Sequence, residues 1–456
     1  MKKPDISRYF SMTKRERRNE LNQTLWLMPI RYIGVAIVLS CISAFLDLYL
    51  EIDTYIPDSI TFEGTTARLL ITTLIGGVLT LSAFTINSLL VALTTLSGQF
   101  SSRMVLNFIS EPPTQHVLGI FNGSFIYVLL NILFLSNSSK ETYFVIPVLS
   151  VFITFAAAVT FIYFVNHTST WLQVHNITSN MKNTTKNTLR ESLLKETEPY
   201  RVRDEQFIDR ITNNSEATTI MSKDSGHIQS ADFKKIIDQA KADDVVIELR
   251  ASIGEFILDN TPLFDYWQGS GPVDESKYNK LVRVDAKKTE IQDLEFGLEK
   301  LVEVAVKAIG NNDPLTVNNT LYQITDLLKE IGNATSFSPF LVDDENHVRL
   351  KLKYDGFDYF LFKSFGYIRE YAGKNSTVII TIFEMLSLLA QSMDSKVHDE
   401  IWKFAEQTIK GYQQFTLYEV DCYYIVRNLE EVALHTNHSD GYEELKDILP
   451  KRIYTC

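Results

Sequence analysis

Apolar residues crowd the first third of this chain, in four long runs nearly free of charge: Leu25–Leu50, Leu69–Ser101, Val117–Asn137 and Tyr143–Val165. A helix needs roughly 20 apolar residues to cross a hydrocarbon core about 30 Å thick. All four runs meet that length. A core helix of a soluble domain is usually shorter, and four such runs in succession predict four transmembrane helices. The first run carries Arg31 and Asp47 near its ends, where a long or polar side chain can reach toward the headgroups.

Polar positions inside the second run follow their own rule. Thr73, Thr80, Asn87 and Thr94 are spaced seven apart, Thr66 and Ser101 continue the series, and Gly77 and Gly98 lie close to the same line. A straight helix drifts only about 20° per heptad, so these side chains share one stripe. An asparagine amide without partners is costly in lipid, which sends Asn87 toward protein or water. Two readings follow. Helices can pack closely along the seam and hydrogen-bond across it, at about 0.6 to 2 kcal/mol per bond. Alternatively, the second helices of several subunits line an axial pore with hydroxyl and amide rings. In a symmetric oligomer both hold at once. The run from Leu69 to Ser101 is also long, about 50 Å as a helix, so part of it tilts or projects toward Gln99 and Arg103. Arg103 then stands at the inner mouth, disfavouring cations, or anchors the helix among headgroups.

The pattern changes after the fourth run. Residues 168–217 read as a connecting helix and linker, with Pro199 ending the helix. The stretch "GHIQSADFKKIIDQAKADDVVIELRASIGEFILDNTPLFDYW" reads strand, short helix, strand, turn, strand, and predicts a small β-rich, barrel-like module over 218–275. From 276 to 456 the period is helical. Ile291, Leu294, Leu298, Leu301, Val302 and Ala305 fall on one face, and further helices are expected at 376–393, 395–412 and 417–436. "NDP" marks a helix start, with Asp313 as N-cap and Pro314 at the first helical position, and Gly332 suits the residue after that helix. A helix start can also hold an anion, which makes Asn312 and Asp313 a candidate cytoplasmic ligand site.

Charge orients the whole. The N-terminal arm, residues 1–24, holds Lys2, Lys3, Arg8, Lys14, Arg15, Arg17 and Arg18, whereas residues 51–67 hold Glu51, Asp53, Asp58 and Glu63 and no basic residue. The positive-inside rule places the N-terminus in the cytoplasm, and four crossings return the C-terminal part there. Residues 1–200 carry 15 Lys+Arg against 13 Asp+Glu, a sum of +2, so the remainder carries −14 of the total −12. An acidic cytoplasmic part argues against nucleic acid as a partner. Cys41, Cys422 and Cys456 show no paired spacing, and no disulfide is expected. No carboxylate or histidine lies within runs two to four, which disfavours proton-coupled transport. There is no Gly-rich phosphate loop, no Gly-x-Ser-x-Gly and no His-Glu-x-x-His, and His435 with His438 lacks a third ligand beside it. No enzymatic activity, metal or cofactor is expected.

Two blocks carry a resemblance. The first includes Gln99, Phe100, Ser101, Arg103, Leu106 and Phe108, followed by Thr114, Gln115, Val117, Leu118, Gly119, Phe121, Gly123, Phe125 and Tyr127. The second includes Thr289, Gln292, Asp293, Phe296, Gly297, Leu298, Leu301, Val302, Ala305, Asn312, Asp313, Pro314 and Thr316. Together they resemble a bacterial membrane-protein family, domain of unknown function 2254. Ser102 stands where that family usually has proline, and Lys288 and Glu299 stand where it has arginines. The resemblance implies a bacterial inner-membrane protein and supplies no activity.

The expected architecture is therefore membrane α-helical, with four transmembrane helices and a cytoplasmic α+β domain, a small β-rich module followed by a helical bundle. The expected function is a homo-oligomeric cytoplasmic-membrane protein forming a passive ion or small-solute pore open to regulation. Thr73, Thr80, Asn87, Thr94 and Ser101 would line it or its helix interface, with Gln99 and Arg103 at the inner mouth. The alternative is a non-conducting sensor or scaffold that acts through its cytoplasmic domain. Expected partners are the bilayer, further copies of the chain, and a cytoplasmic ligand or protein.

Overall fold

The computed structural model describes residues 27–99, 111–138, 140–171, 173–202, 217–267, 273–286, 288, 292–335, 337–353, 355–412 and 418–448. The chain divides into two units, Met1–Gln173 and Val174–Cys456.

In the first unit each apolar run is a helix long enough to span a bilayer: α1 (Leu27–Leu48), α2 (Gly64–Gln99), α3 (Pro112–Ser136) and α4 (Val145–Trp171). α3 contacts the other three helices and is the most enclosed. Its glycines let α1 come close. Tyr32 lies across both, so near that a Cβ on Gly119 would sit 2.4 Å from the Tyr32 ring and one on Gly123 3.2 Å from its carbonyl oxygen. Small residues four apart permit this approach of two backbones in a membrane. Further along, the Tyr127 hydroxyl bonds to Ser43 Oγ at 2.9 Å.

The loops joining α1 to α2 and α3 to α4 meet in a polar knot, where β1 (Phe62–Glu63) pairs antiparallel with β2 (Thr142–Tyr143). Asp47 is fully buried here rather than turned toward headgroups. Its carboxylate accepts from the amides of Phe144 (3.3 Å), Val145 (2.9 Å) and Ile146 (2.7 Å), satisfying donors that the first turn of α4 leaves free. Lys140 Nζ donates to the Asp47 carbonyl (2.6 Å) and to Asp53 Oδ1 (2.5 Å), and Thr142 donates to Asp53 Oδ2 (2.6 Å). Burial opposes charge on Asp53, yet the hydrogen bonds from Lys140 and Thr142 prevail and hold its carboxyl below the ordinary range. Arg68 closes the knot by donating to the carbonyls of Leu135 and Ser138.

The second unit mixes sheet and helix. A five-stranded sheet runs in the order β3 (Thr218–Met221), β7 (Pro262–Trp267), β5 (Val246–Leu249), β10 (Val348–Lys351), β9 (Phe340–Val342). β10 is parallel to β5 and the other pairs are antiparallel. A three-stranded antiparallel sheet, β6 (Phe256–Ile257), β4 (Gly226–Ala231), β8 (Val282–Asp285), lies alongside in sequence. α5 (Val174–Thr188) opens the unit. α6 (Phe233–Ala242) turns Ile236, Ile237 and Ala240 into a core shared with Ile220, Ile247, Phe264 and Leu350. The strand, helix, strand, turn, strand order read from 226 to 267 is observed with one short strand more, β6, before β7. The module is two sheets rather than a barrel, and strands beyond residue 275 complete both. β8, β9 and β10 come from residues 276–456, expected to be helical; β8 completes the smaller sheet on β4, and β10 pairs with β5 and carries β9 at the edge of the larger one.

The helical part contains α7 (Leu294–Gly310), α8 (Pro314–Ala334), α9 (Ser376–Ser392), α10 (His398–Tyr412) and α11 (Glu419–Thr436). Leu298, Leu301, Leu321, Ile324, Phe383, Leu386 and Leu429 build its core. α5 packs on α7 and α8, where Lys182 and Lys186 pair with Asp326 and Glu330 at 2.8–3.0 Å. Gly332 does not terminate α8, which continues to Ala334. Instead it makes room for Met393, whose Cε would lie 2.1 Å from a Cβ at that position.

Candidate functional site

The polar seam lies on α2. An α-helix turns about 100° per residue, and the side of α2 that packs on its own bundle is made by Ala67, Ile71, Val78, Thr85, Leu89 and Ala92. Thr73, Thr80, Asn87 and Thr94 each follow Ile71, Val78, Thr85 and Ala92 by two positions. That places the seam about 200° around the helix from the packed stripe, and all four seam residues are exposed. Only 17% of the most apolar window of α2 is buried, against 44% for α3, so α2 is the span whose surface the chain itself covers least. Gly76 and Ala83 fall between the seam positions and are exposed too, and nothing in the chain lies within 4 Å of a Cβ built on Gly76 or Gly77. The resulting face reads Thr73, Gly76, Thr80, Ala83, Asn87, Leu90, Thr94, with the three-four alternation of a helix–helix seam.

The hydroxyls on this face are not idle. Thr73 Oγ1 donates to the Leu69 carbonyl (2.9 Å), Thr80 to Gly76 (2.8 Å) and Thr94 to Val91 (2.8 Å). A threonine bonded in this way keeps its oxygen available as an acceptor. Asn87 has two amide donors and a carbonyl on the same exposed line and makes the seam costly to leave in hydrocarbon. Gln99 ends α2, and Ser101 and Arg103 lie outside the described residues.

Asn312 and Asp313 form a helix start. Asn312 takes a left-handed backbone (φ 53°) in the turn, and Asp313 accepts from Thr316 through both oxygens, from the amide at 3.1 Å and the hydroxyl at 2.6 Å. A carboxylate thus stands where an anion would have to bind. His438 bonds the Thr436 carbonyl through Nδ1 and stacks on Trp402. Among the described residues no cluster of three His, Cys, Asp or Glu side chains could hold a metal ion.

The residues of the second sequence block serve as fasteners. Gln292 grips the backbone of Ala231 at both N (2.8 Å) and O (3.1 Å) and donates to Glu196 (2.7 Å). Asp293 caps α7 through the Phe296 amide (2.9 Å). Gly297 is where α5 and α7 touch, since a Cβ there would meet Thr185 Oγ1 at 2.1 Å. Lys288 and Glu299, both unusual for the family pattern, pair with each other at 3.0 Å. In the first block Gly119, Gly123 and Tyr127 make the α1–α3 contact. Sequence reading missed the Asp47–Asp53–Lys140 knot, in which Lys140 lies about ninety residues from the two aspartates and no common motif links them.

Four spanning-length apolar helices, with glycine-mediated packing between them and a mixed α/β unit after them, define a polytopic membrane protein. The chain matches the model of a family described as predicted membrane protein, domain of unknown function 2254, over residues 22–387, and it belongs to that family. It is 23% identical over 385 residues to an uncharacterized protein of Mycobacterium tuberculosis, and to the same extent to one of Mycobacterium bovis. The alignment covers 82% of this chain and 73% of each relative. No solved structure matches it.

Proposed function

We propose that this protein is a homo-oligomer of the bacterial cytoplasmic membrane, without enzymatic activity, in which the α2 helices of several copies meet along Thr73, Thr80, Asn87 and Thr94. Both termini and the second unit lie in the cytoplasm, as the basic N-terminal arm argues. The enclosed path is a passive one for ions or small solutes, lined by hydroxyls and the Asn87 amide, with Gln99, Ser101 and Arg103 toward its inner end. The observation that carries this reading is the position of the seam, exposed and opposite the face α2 uses inside its own chain. In lipid the Asn87 amide would cost several kcal/mol; facing its copies or water it costs little.

The threonine hydroxyls favour a second reading. Because each already bonds its own helix, the seam can close dry, leaving a non-conducting oligomer that acts as a scaffold or sensor through its cytoplasmic unit. Thiol accessibility separates the two. On a background lacking Cys41, Cys422 and Cys456, single cysteines replace Thr73, Thr80, Asn87 and Thr94, with Leu79 and Ile86, exposed but off the seam face, as controls. A small charged thiol reagent applied to intact membranes will label all four seam positions and spare the controls if the path is wet. Protection of Thr80→Cys and Asn87→Cys under every condition tried would decide for the dry scaffold.

A further inference from the structure

A cleft of about 480 Å³ opens between α3 and α4 on the surface of the membrane unit. That is room for a whole ligand, since such sites span roughly 300–1,000 Å³. Its walls are apolar along most of their length, with Val117 and Ile120 from α3 and Val159 from α4. Thr160 adds no free donor, because its hydroxyl already bonds the Ala156 carbonyl (2.8 Å). The polar groups gather at one end. His116 stands about one turn into α3 and Tyr163 about two turns before the end of α4, and the Glu111–Trp171 hydrogen bond joins those two helix ends. A helix of 25 residues is about 37 Å long against a core of about 30 Å, so the first turn of α3 reaches the headgroups.

This end presents donors. The Tyr32 hydroxyl, donating to His116 Nδ1 at 2.9 Å, leaves the ring proton on Nε2. Among the described residues neither that nitrogen nor the Tyr163 hydroxyl has a hydrogen-bond partner, and the Tyr163 ring stacks on His167. The carboxylate here, Glu111, is already held by Trp171 Nε1 at 2.7 Å, with His167 Nε2 at 3.8 Å. Two donors beside an occupied carboxylate suit a phosphate diester, which only accepts. The outward surface of α4 carries Phe152, Phe155, Val159 and Ile162, all exposed. Close helix contacts in a membrane favour small residues, so this face suits acyl chains and not another copy.

We propose that this cleft holds one phospholipid of the leaflet in which α3 begins. An acyl chain lies along Val117, Ile120 and Val159, and the phosphate accepts from His116 Nε2 and the Tyr163 hydroxyl. Hydrocarbon surrounds the helices throughout, so the chain gains only packing contacts, and the bonds to phosphate single this lipid out from its neighbours. The inference rests on the membrane-spanning helices and is independent of the α2 seam.

The probe is dioleoylphosphatidylglycerol, added to delipidated full-length protein in detergent, with retained lipid counted per chain by native mass spectrometry. Dioleoylglycerol supplies the same chains without phosphate, and glycerol 3-phosphate the phosphate without chains. One phosphatidylglycerol per chain is expected at saturation, with dioleoylglycerol about ten-fold weaker or more and glycerol 3-phosphate unable to displace it. Tyr163→Phe and His116→Ala should each weaken retention about three-fold or more. Thr160→Phe fills the cleft and should weaken it about ten-fold or more, whereas Val151→Phe, exposed on α4 away from the cleft, should leave it unchanged. Tyr163→Phe deletes one exposed hydroxyl and decides the matter if Thr160→Phe destabilises the protein. No saturable lipid, equal retention of dioleoylglycerol, wild-type retention in both His116→Ala and Tyr163→Phe, or equal loss in Val151→Phe would overturn the proposal. So would a Thr160→Phe protein that keeps its lipid and no longer self-associates, which would make the cleft a contact between copies.

Discussion

Replacing Asp293 with asparagine should remove a pH dependence of stability while leaving the fold in place. Burial pushes the Asp293 carboxyl up to about 7, from an ordinary value of 3.8, against the opposing pull of Lys288 and the Phe296 amide. A carboxyl whose pKa is higher folded than unfolded stabilises fully below its unfolded pKa, and that contribution is lost as pH rises through the folded value. The window runs from about pH 4 to about pH 7. Three pKa units at 1.36 kcal/mol each make about 4 kcal/mol. Asparagine caps a helix as well as aspartate does and does not titrate. The variant should therefore match the wild type near pH 4 and exceed it by up to about 4 kcal/mol above pH 7, roughly 8–16 °C in melting temperature. Thermal unfolding of the full-length protein in detergent, followed by near-ultraviolet circular dichroism across that pH range, reads the difference between the two proteins. Other titrating groups cancel in that difference. Parallel profiles for wild type and variant would refute the burial argument, as would a variant that is weaker at every pH.

Three further substitutions test the membrane unit. Gly119→Ala drives a methyl against the Tyr32 ring, and overpacking of this kind should lower stability by about 1–3 kcal/mol in a melting experiment, with recovery when Tyr32→Ala is added. Asp47→Ala strips three amides of their acceptor at the start of α4 and should cost about 2–4 kcal/mol, with Asp47→Asn falling between it and wild type. Asn87→Leu should weaken self-association by about 0.6–2 kcal/mol per copy, seen as a shift of subunit fluorescence transfer to higher protein-to-lipid ratios; unchanged or tighter association would remove Asn87 from any interface.

Local features proved readable from the sequence, and distant ones did not. The four spans follow from run length, and the cap at Asp313 follows from residue type at a helix start; the cap at Asp293 was shown only by the structure. The stripe of Thr73, Thr80, Asn87 and Thr94 follows from period alone. Its meaning did not, because only the structure shows Ile71, Val78 and Thr85 taking the opposite, packed face. β9 and β10 are three and four residues long; β10 gains its place by pairing with β5 about a hundred residues away, and β9 adds to β10, which no local pattern announces. Gly332 resembles a helix stop and is a packing contact, since a glycine serves both ends and the neighbour decides.

The central claim is that copies of α2 face one another across the polar seam, and disulfide trapping in native membranes tests it most directly. Single cysteines at Thr73, Thr80, Asn87 and Thr94, on the cysteine-free background, are oxidised and the products separated without reductant. Cross-linked dimers are expected at the seam positions and none at Ile71→Cys or Val78→Cys, which face the chain's own bundle. A monomer band at all four seam positions, under conditions that join a cysteine placed elsewhere on α2, would contradict it.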